Sequence, residues 1–271
     1  MNVINQLRRI VSVFAILVQT ACVSLGGADY IVEKEIVFKV IEGESLKGDL
    51  YLPKKSGLKP AVMVVHGGGW NKRSGDMESI CEDLAEAGFV VFNTTYRLAP
   101  AHHFPKAVDD TRDALTWLKT NAEKYSIDKN RIAGWGYSAG ANLILLVGLD
   151  PAQGLKAIVA GGTPADLTVW PDSPLVNGFI GHSLKESPDL WNQASPVNHV
   201  KKESPAVFLY HGEWDKLVEP EQMKKMTDAL KKENVVTESY LAPLQGHVVT
   251  YFLSQKSVDL GIDFISRQLK Q

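Results

Sequence analysis

The sequence predicts an α/β fold, a mostly parallel sheet with helices on both faces and a small cap inserted late in the chain. Three observations predict it. Short apolar runs alternate with helix-period segments along nearly the whole length, the pattern of a parallel sheet wrapped on both sides. Residues 60–65, Pro-Ala-Val-Met-Val-Val, are continuously apolar, as a strand buried on both faces requires. Two glycine-rich turns, His66-Gly67-Gly68-Gly69-Trp70 and Gly136-Tyr137-Ser138-Ala139-Gly140, each follow such a run.

The elements follow in order. Residues 35–40 and 46–52 read as two strands of a hairpin turning at Glu42-Gly43-Glu44. After the strand at 60–65, residues 77–88 form an amphipathic helix closed by Gly88, and 89–93 the next strand. Residues 107–123 carry apolar side chains at helical spacing (Ala107, Ala114, Leu118). A strand is expected at 131–135, a helix at 138–149, and strands at 156–160 and 206–210. A helix at 221–233, a strand at 235–241 and a helix at 251–269 complete the chain. Residues 161–205 break this rhythm, being rich in proline and glycine and carrying Trp170, Phe179 and Trp191. A connection that long is usually functional, and it reads as the cap over a site.

Composition bounds the function classes. The 271 residues suit one large domain, and 45% hydrophobic with 22% charged residues is ordinary for a globular protein with a substantial core. Net charge is −2, and the lysine pairs 201–202, 224–225 and 231–232 are isolated, so no nucleic-acid surface is expected. The first 28 residues differ in character. Arg8-Arg9 precede an apolar run at 10–18 interrupted only by Ser12, followed by Ser24, Gly26, Gly27 and Ala28. This is the layout of a signal peptide cleaved after Ala28, leaving 29–271 as an exported, periplasmic or extracellular domain. Thr20-Ala21-Cys22 also resembles a bacterial lipid-attachment box, with Gln19 where that box carries an apolar residue, so Cys22 is a candidate lipid anchor. Cys81 is then alone in the mature chain and has no partner for an intramolecular disulfide.

The chemistry sits in the two turns. Chance supplies a G-x-S-x-G match in roughly one of ten chains of this length, so the match alone is weak. Its context is stronger, because a strand precedes Ser138 and a helix-compatible run follows it, as a nucleophile on a sharp strand-to-helix bend requires. A serine nucleophile needs a base, and the base an orienting acid. With the chain order Ser, acid, His, His66, His102 and His103 come too early, while His182 and His199 fall in the cap segment. His211 lies at the end of a strand, before the best acid. His247, expected in a loop, remains as the base. Asp215 follows the strand at 206–210 and is favoured as the acid over Asp166, Asp172, Glu213 and Asp228. The N–H of Ala139 and those of the glycine triplet would converge on the oxyanion. Trp70 and Tyr137 are candidate substrate-binding residues, and no cofactor or metal is implied.

The chain resembles the α/β-hydrolase esterases related to hormone-sensitive lipase, and the shorter bacterial esterases of the acetylxylan and feruloyl esterase type. The resemblance rests on the motifs at 66–70, Tyr96-Arg97-Leu98-Ala99-Pro100 with Phe104-Pro105, the turn at 136–140, Ala194-Ser195-Pro196, His211-Gly212-Glu213-Trp214-Asp215, and Gly246-His247. It implies oxyanion donors at Gly68 and Gly69 together with Ala139. Few residues separate position 28 from His66, where hormone-sensitive-lipase relatives carry a long helical cap, so the compact carbohydrate-esterase-like branch is the nearer match. The expectation is a secreted serine esterase acting on short-acyl or carbohydrate-linked esters. Kynurenine formamidases share a similar His-Gly-Gly loop, so an arylformamidase-like amide hydrolase is one alternative. A non-catalytic ligand-binding relative of the fold is another.

Overall fold

Eight strands form one sheet in the order β1-β2-β4-β3-β5-β6-β7-β8. The computed structural model describes residues 29–74 and 76–270, so the expected export segment at 1–28, with Cys22, lies outside the described residues. The strands are β1 (Tyr30–Ile41), β2 (Glu44–Pro53), β3 (Lys59–Val65), β4 (Val90–Thr94), β5 (Ile127–Tyr137), β6 (Ala157–Gly161), β7 (Ala206–Gly212) and β8 (Thr237–Ala242). β1 pairs antiparallel with β2, and β2 with β4; every other pairing is parallel. The helices are α1 (Glu78–Glu86), α2 (Lys106–Thr120), α3 (Ala139–Gly148), α4 (Pro174–Ile180), α5 (Pro188–Gln193), α6 (Glu221–Lys232), α7 (His247–Leu253) and α8 (Gln255–Gln268).

The two-residue period of a strand sorts the core into two layers. In β3, Ala61, Met63 and Val65 face α2 and α3 with Leu115, Leu118, Leu143 and Ile144. Val62 and Val64 face the other way, joining Ile80, Cys81 and Leu84 of α1 and Phe264 and Ile265 of α8. Both faces are therefore apolar, which is why the run at 60–65 shows no alternation. Cys81 is a buried free thiol, and burial pushes its pKa up, so it is held as an inert core side chain.

Several elements depart from the sequence reading. β1 begins at Tyr30 rather than 35, because this bulged edge strand is mostly exposed and carries no clean alternation. The helix expected at 251–269 is two helices. At Ser254 the backbone leaves helical geometry (φ −90°, ψ 65°), and the Ser254 and Ser257 hydroxyls hydrogen-bond at 2.6 Å. Residues 161–205 contain α4, α5 and one-turn 3₁₀ segments at Leu167–Val169 and Pro196–His199. This segment is tied down by polar bonds. Gln222 of α6 accepts from the Ala165 and Asp166 N–H groups (3.0 and 2.8 Å), and Ser195 accepts from the Leu167 N–H at 2.9 Å.

A buried ion cluster holds the stretch after β4. Asp110 of α2 accepts from the Arg97 backbone N–H and Nε at 3.0 and 2.9 Å, from Nη2 at 3.0 Å, and from Lys39 at 2.7 Å. Burial alone would raise the Asp110 pKa, but the Arg97 and Lys39 hydrogen bonds outweigh it and hold the carboxyl below the usual carboxylate range. Replacing Asp110 with alanine would leave the buried Arg97 guanidinium with Glu42, at 3.0 Å, as its remaining carboxylate partner. The expected cost is about 3–5 kcal/mol in urea unfolding at neutral pH. Because the folded pKa is depressed, this stabilisation is present above the unfolded carboxylate value of about 4 and is lost as pH falls below it. The gap between Asp110→Ala and the parent should therefore close in acid; a gap that stayed constant would contradict the assignment.

Candidate active site

The loops that matter all leave the sheet at the carboxyl ends of parallel strands, after β3, β5, β7 and β8. Ser138 stands between β5 and α3 with φ 54° and ψ −122°, a strained backbone for a residue with a Cβ. The bend is possible because Gly140 lets α3 lie against β3; a Cβ there would come within 2.1 Å of the Val65 carbonyl oxygen. The Ser138 N–H donates to the Gly161 carbonyl at 2.8 Å, pinning the turn to β6. Its hydroxyl makes no hydrogen bond among the described residues and faces a cavity of 430 Å³. The start of α3 directly behind it favours negative charge at this point.

The 66–74 loop supplies the opposite wall. Gly68 and Gly69 have φ 115° and 59°, and a Cβ on Gly68 would sit 2.0 Å from the Lys72 carbonyl oxygen. The N–H groups of Gly68, Gly69 and Ala139 have no acceptor among the described residues, and all three residues border the cavity or its serine. His66 braces this loop. Burial pushes its pKa down to about 4, so the ring is neutral; Nδ1 donates to the Gly67 carbonyl (2.7 Å) and Nε2 accepts from Thr95 Oγ1 (2.9 Å). The imidazole also stacks on Tyr96 with centroids 4.4 Å apart.

Asp215 and His247 meet directly. The Nδ1–H of His247 donates to Asp215 Oδ2 at 2.6 Å, while Asp215 Oδ1 accepts from the Leu217 and Val218 N–H groups at 2.9 Å each. Burial opposes ionisation of this carboxyl, but the adjacent His211 ring and the hydrogen bonds from His247 and the Val218 N–H hold its pKa well below the usual range. His247 borders the same cavity as Ser138, so the three residues read from the sequence share one site. No hydrogen bond joins His247 to Ser138 among the described residues.

The rival acids lie elsewhere. Asp166 pairs with Lys225 at 2.6 Å, Asp228 with Lys224 at 2.8 Å, and Glu213 accepts from the Leu244 N–H at 2.9 Å, bracing the turn that leads to His247. One expectation is corrected. His247 is not in a loop but is the first residue of α7, with Gly246 as its extended N-cap. The first turn of α7 gives no amphipathic signal in the sequence, because Thr250 is the fully buried side chain of the helix while Val248, Val249, Phe252 and Leu253 are exposed.

Trp70 and Tyr137 border the cavity, but their polar atoms are already engaged. The Trp70 indole is buried, stacked on Phe179 at 4.5 Å, and donates to Asn142 Oδ1 at 3.3 Å. Tyr137 donates through Oη to the His247 carbonyl at 2.6 Å, holding the start of α7. Three further residues escaped the sequence reading. Asn142, one turn past Ser138, joins Trp70 to the 161–205 segment through the Pro164 and Ala194 carbonyls (3.1 and 3.0 Å). His211 donates from Nε2 to the Val218 carbonyl at 2.7 Å and lies 3.3 Å from Asp215 Oδ2. The third is His66. A histidine two residues before a backbone that must hold its shape was the available signal for it. The bonds of the other two span elements that sequence periodicity does not relate. No cluster that could hold a metal ion is present among the described residues.

Comparison with known proteins places this architecture. The BD-FAE family profile matches residues 48–230, well over half of the chain. Esterase LipC of Mycobacterium tuberculosis (strain ATCC 25618 / H37Rv) is 28% identical over 224 residues, covering 73% of this chain and 56% of that protein. A truncated form of a carbohydrate esterase from gut microbiota superposes with a TM-score of 0.80 at 23% identity, covering 91% of this chain and 99% of that one. An acetyl ester-xyloside bifunctional hydrolase from Caldicellulosiruptor lactoaceticus gives 0.76 at 24%, covering 86% and 95%. The chain spans about half the length of the curated relatives it matches (56%, 48% and 46%). The sequence profile and the structural superpositions lead to one conclusion: the chain belongs to the BD-FAE family and has the α/β-hydrolase fold.

Proposed function

We propose that the protein is a serine esterase that cleaves short-acyl carboxylic esters of a small-molecule or carbohydrate alcohol. The observation that carries this is the buried Asp215–His247 hydrogen bond opening onto the same cavity as a strained, unpartnered Ser138 hydroxyl. In the first half-reaction Ser138 Oγ bonds to the ester carbonyl carbon while His247 Nε2 takes its proton. The N–H groups of Gly68, Gly69 and Ala139 receive the oxyanion. Collapse breaks the bond to the alcohol oxygen, which leaves with the proton from His247, and water then releases the acyl group by the reverse sequence. Trp170, Leu175 and Val176 line the cavity with apolar surface, which supports a short acyl group.

The test is a pre-steady-state assay with p-nitrophenyl acetate. One equivalent of nitrophenolate should be released in a burst, with an acetyl adduct on the peptide containing Ser138. A linear time course without an adduct, or turnover of N-formylkynurenine alone, would sink the esterase reading. The proposal extends to location. Residues 1–28 carry the charge and hydropathy pattern of an export signal. The N-terminal peptide mass of the exported protein decides between cleavage before Asp29 and a lipidated Cys22.

A further inference from the structure

α7 is built inside out. Its buried residue is Thr250, whereas Val248, Phe252 and Leu253 are 61%, 67% and 72% exposed. Leu217, two residues past Asp215, is 58% exposed beside them. Leu217, Val248 and Phe252 are at once lining residues of the catalytic cavity and exposed apolar surface, so the cavity opens onto this face without a polar rim. Leaving such side chains in water costs free energy that burial under a ligand would recover. A second copy of the chain seated here would cover the mouth that these residues line, so the face belongs to the site.

Its position fixes which part of the substrate it meets. The departing alcohol oxygen must receive its proton from His247, so the alcohol projects past the element that carries His247, which is α7, and past the Asp215 turn, which carries Leu217. Resting on the esterase reading above, we propose that Leu217, Val248 and Phe252 form the alcohol subsite and that it takes a large apolar alcohol, alkyl or aryl, in preference to a sugar. The lining on this side offers apolar side chains where a sugar would need a set of polar partners. Of the polar groups that border the cavity, Asn71, Lys72 and Ser74 lie on the 66–74 loop and Ser173 at the start of α4, while the Tyr251 hydroxyl of α7 is engaged by the Met77 N–H at 3.1 Å.

The experiment has a kinetic and a binding arm. For the parent enzyme, kcat/KM should rise roughly 10- to 100-fold from methyl through butyl to hexyl acetate, since each half-buried methylene contributes modestly. In the exposed-site variants Phe252→Ser and Leu217→Ser the hexyl-to-methyl ratio should fall about tenfold. Calorimetry of 1-hexanol with the Ser138→Ala protein should show binding that Phe252→Ser weakens. Binding of hexanol without hydrolysis of any acetate would uphold the subsite and overturn the esterase reading. Three results would overturn the subsite: a flat response to alcohol length with no hexanol binding, a preference for methyl 2-O-acetyl-xyloside over hexyl acetate, or a dimer in sedimentation that Phe252→Ser converts to monomer.

Discussion

Replacing Ser138 with alanine is expected to lower kcat on p-nitrophenyl acetate roughly a hundred-thousand- to a millionfold, with the fold intact. The size follows from what the hydroxyl does: without it there is no covalent intermediate, and His247 and Asp215 have nothing to activate. Residual catalysis of about a thousand- to ten-thousandfold over water should persist, because the Gly68, Gly69 and Ala139 N–H groups still stabilise an oxyanion formed by direct attack of water. The change should leave stability nearly untouched. The hydroxyl has no hydrogen-bond partner to lose, and alanine meets the same φ of 54° that serine already tolerates. Urea unfolding should therefore agree with the parent to within about 0.5 kcal/mol. Activity retained at more than about a hundredth of the parent would place the nucleophile elsewhere.

The parts of this site that could be read in the sequence are those that depend on local backbone demands. The glycines around Ser138 and in the 66–70 turn are needed because chain passes chain within contact distance there, as Gly140 against Val65 and Gly68 against Lys72 demonstrate. The buried strands were equally legible, since a run such as 60–65 serves two apolar layers at once. Asp215 and His247 were reachable only by elimination along the chain order. Their meeting depends on Leu217, Val218, His211 and Glu213, whose bonds belong to turn geometry rather than to any periodicity. α7 was illegible for a different reason. Its exposed face is apolar and its fully buried side chain is Thr250, so pattern reading misses its first turn and runs its last residues, from Tyr251, into the helix that follows. Where the usual inside-outside rule fails, function is the first place to look, and this helix begins with His247, the proposed base.

Asp215→Asn is expected to reduce kcat by about ten-thousandfold, ten to a hundred times less than Ser138→Ala, although it exchanges a single heavy atom. The surrounding donors dictate this. Oδ1 accepts from the Leu217 and Val218 N–H groups at 2.9 Å, and an asparagine must keep its carbonyl oxygen there to satisfy them. Its amide NH₂ is thereby forced into the place of Oδ2, facing His247 Nδ1 at the present 2.6 Å. Two N–H groups cannot face each other, so the imidazole must shift its proton to Nε2, the atom that has to accept the serine proton. The base is then present, correctly placed and unable to act. Lost charge adds to the effect, because the imidazolium formed during attack no longer faces a carboxylate. The same NH₂ meets the His211 Nε2–H, which lies 3.3 Å from Oδ2. Asp215→Asn should therefore also lower stability by about 1–3 kcal/mol, the cost of a buried donor left unsatisfied. Asp215→Ala separates the contributions. It removes the wrong-tautomer constraint along with the charge, so it should retain more activity than Asp215→Asn. Comparing kcat for the two variants, with urea unfolding as the control, checks the argument. If the asparagine variant is the more active of the two, the tautomer mechanism is wrong and Asp215 acts only through its charge.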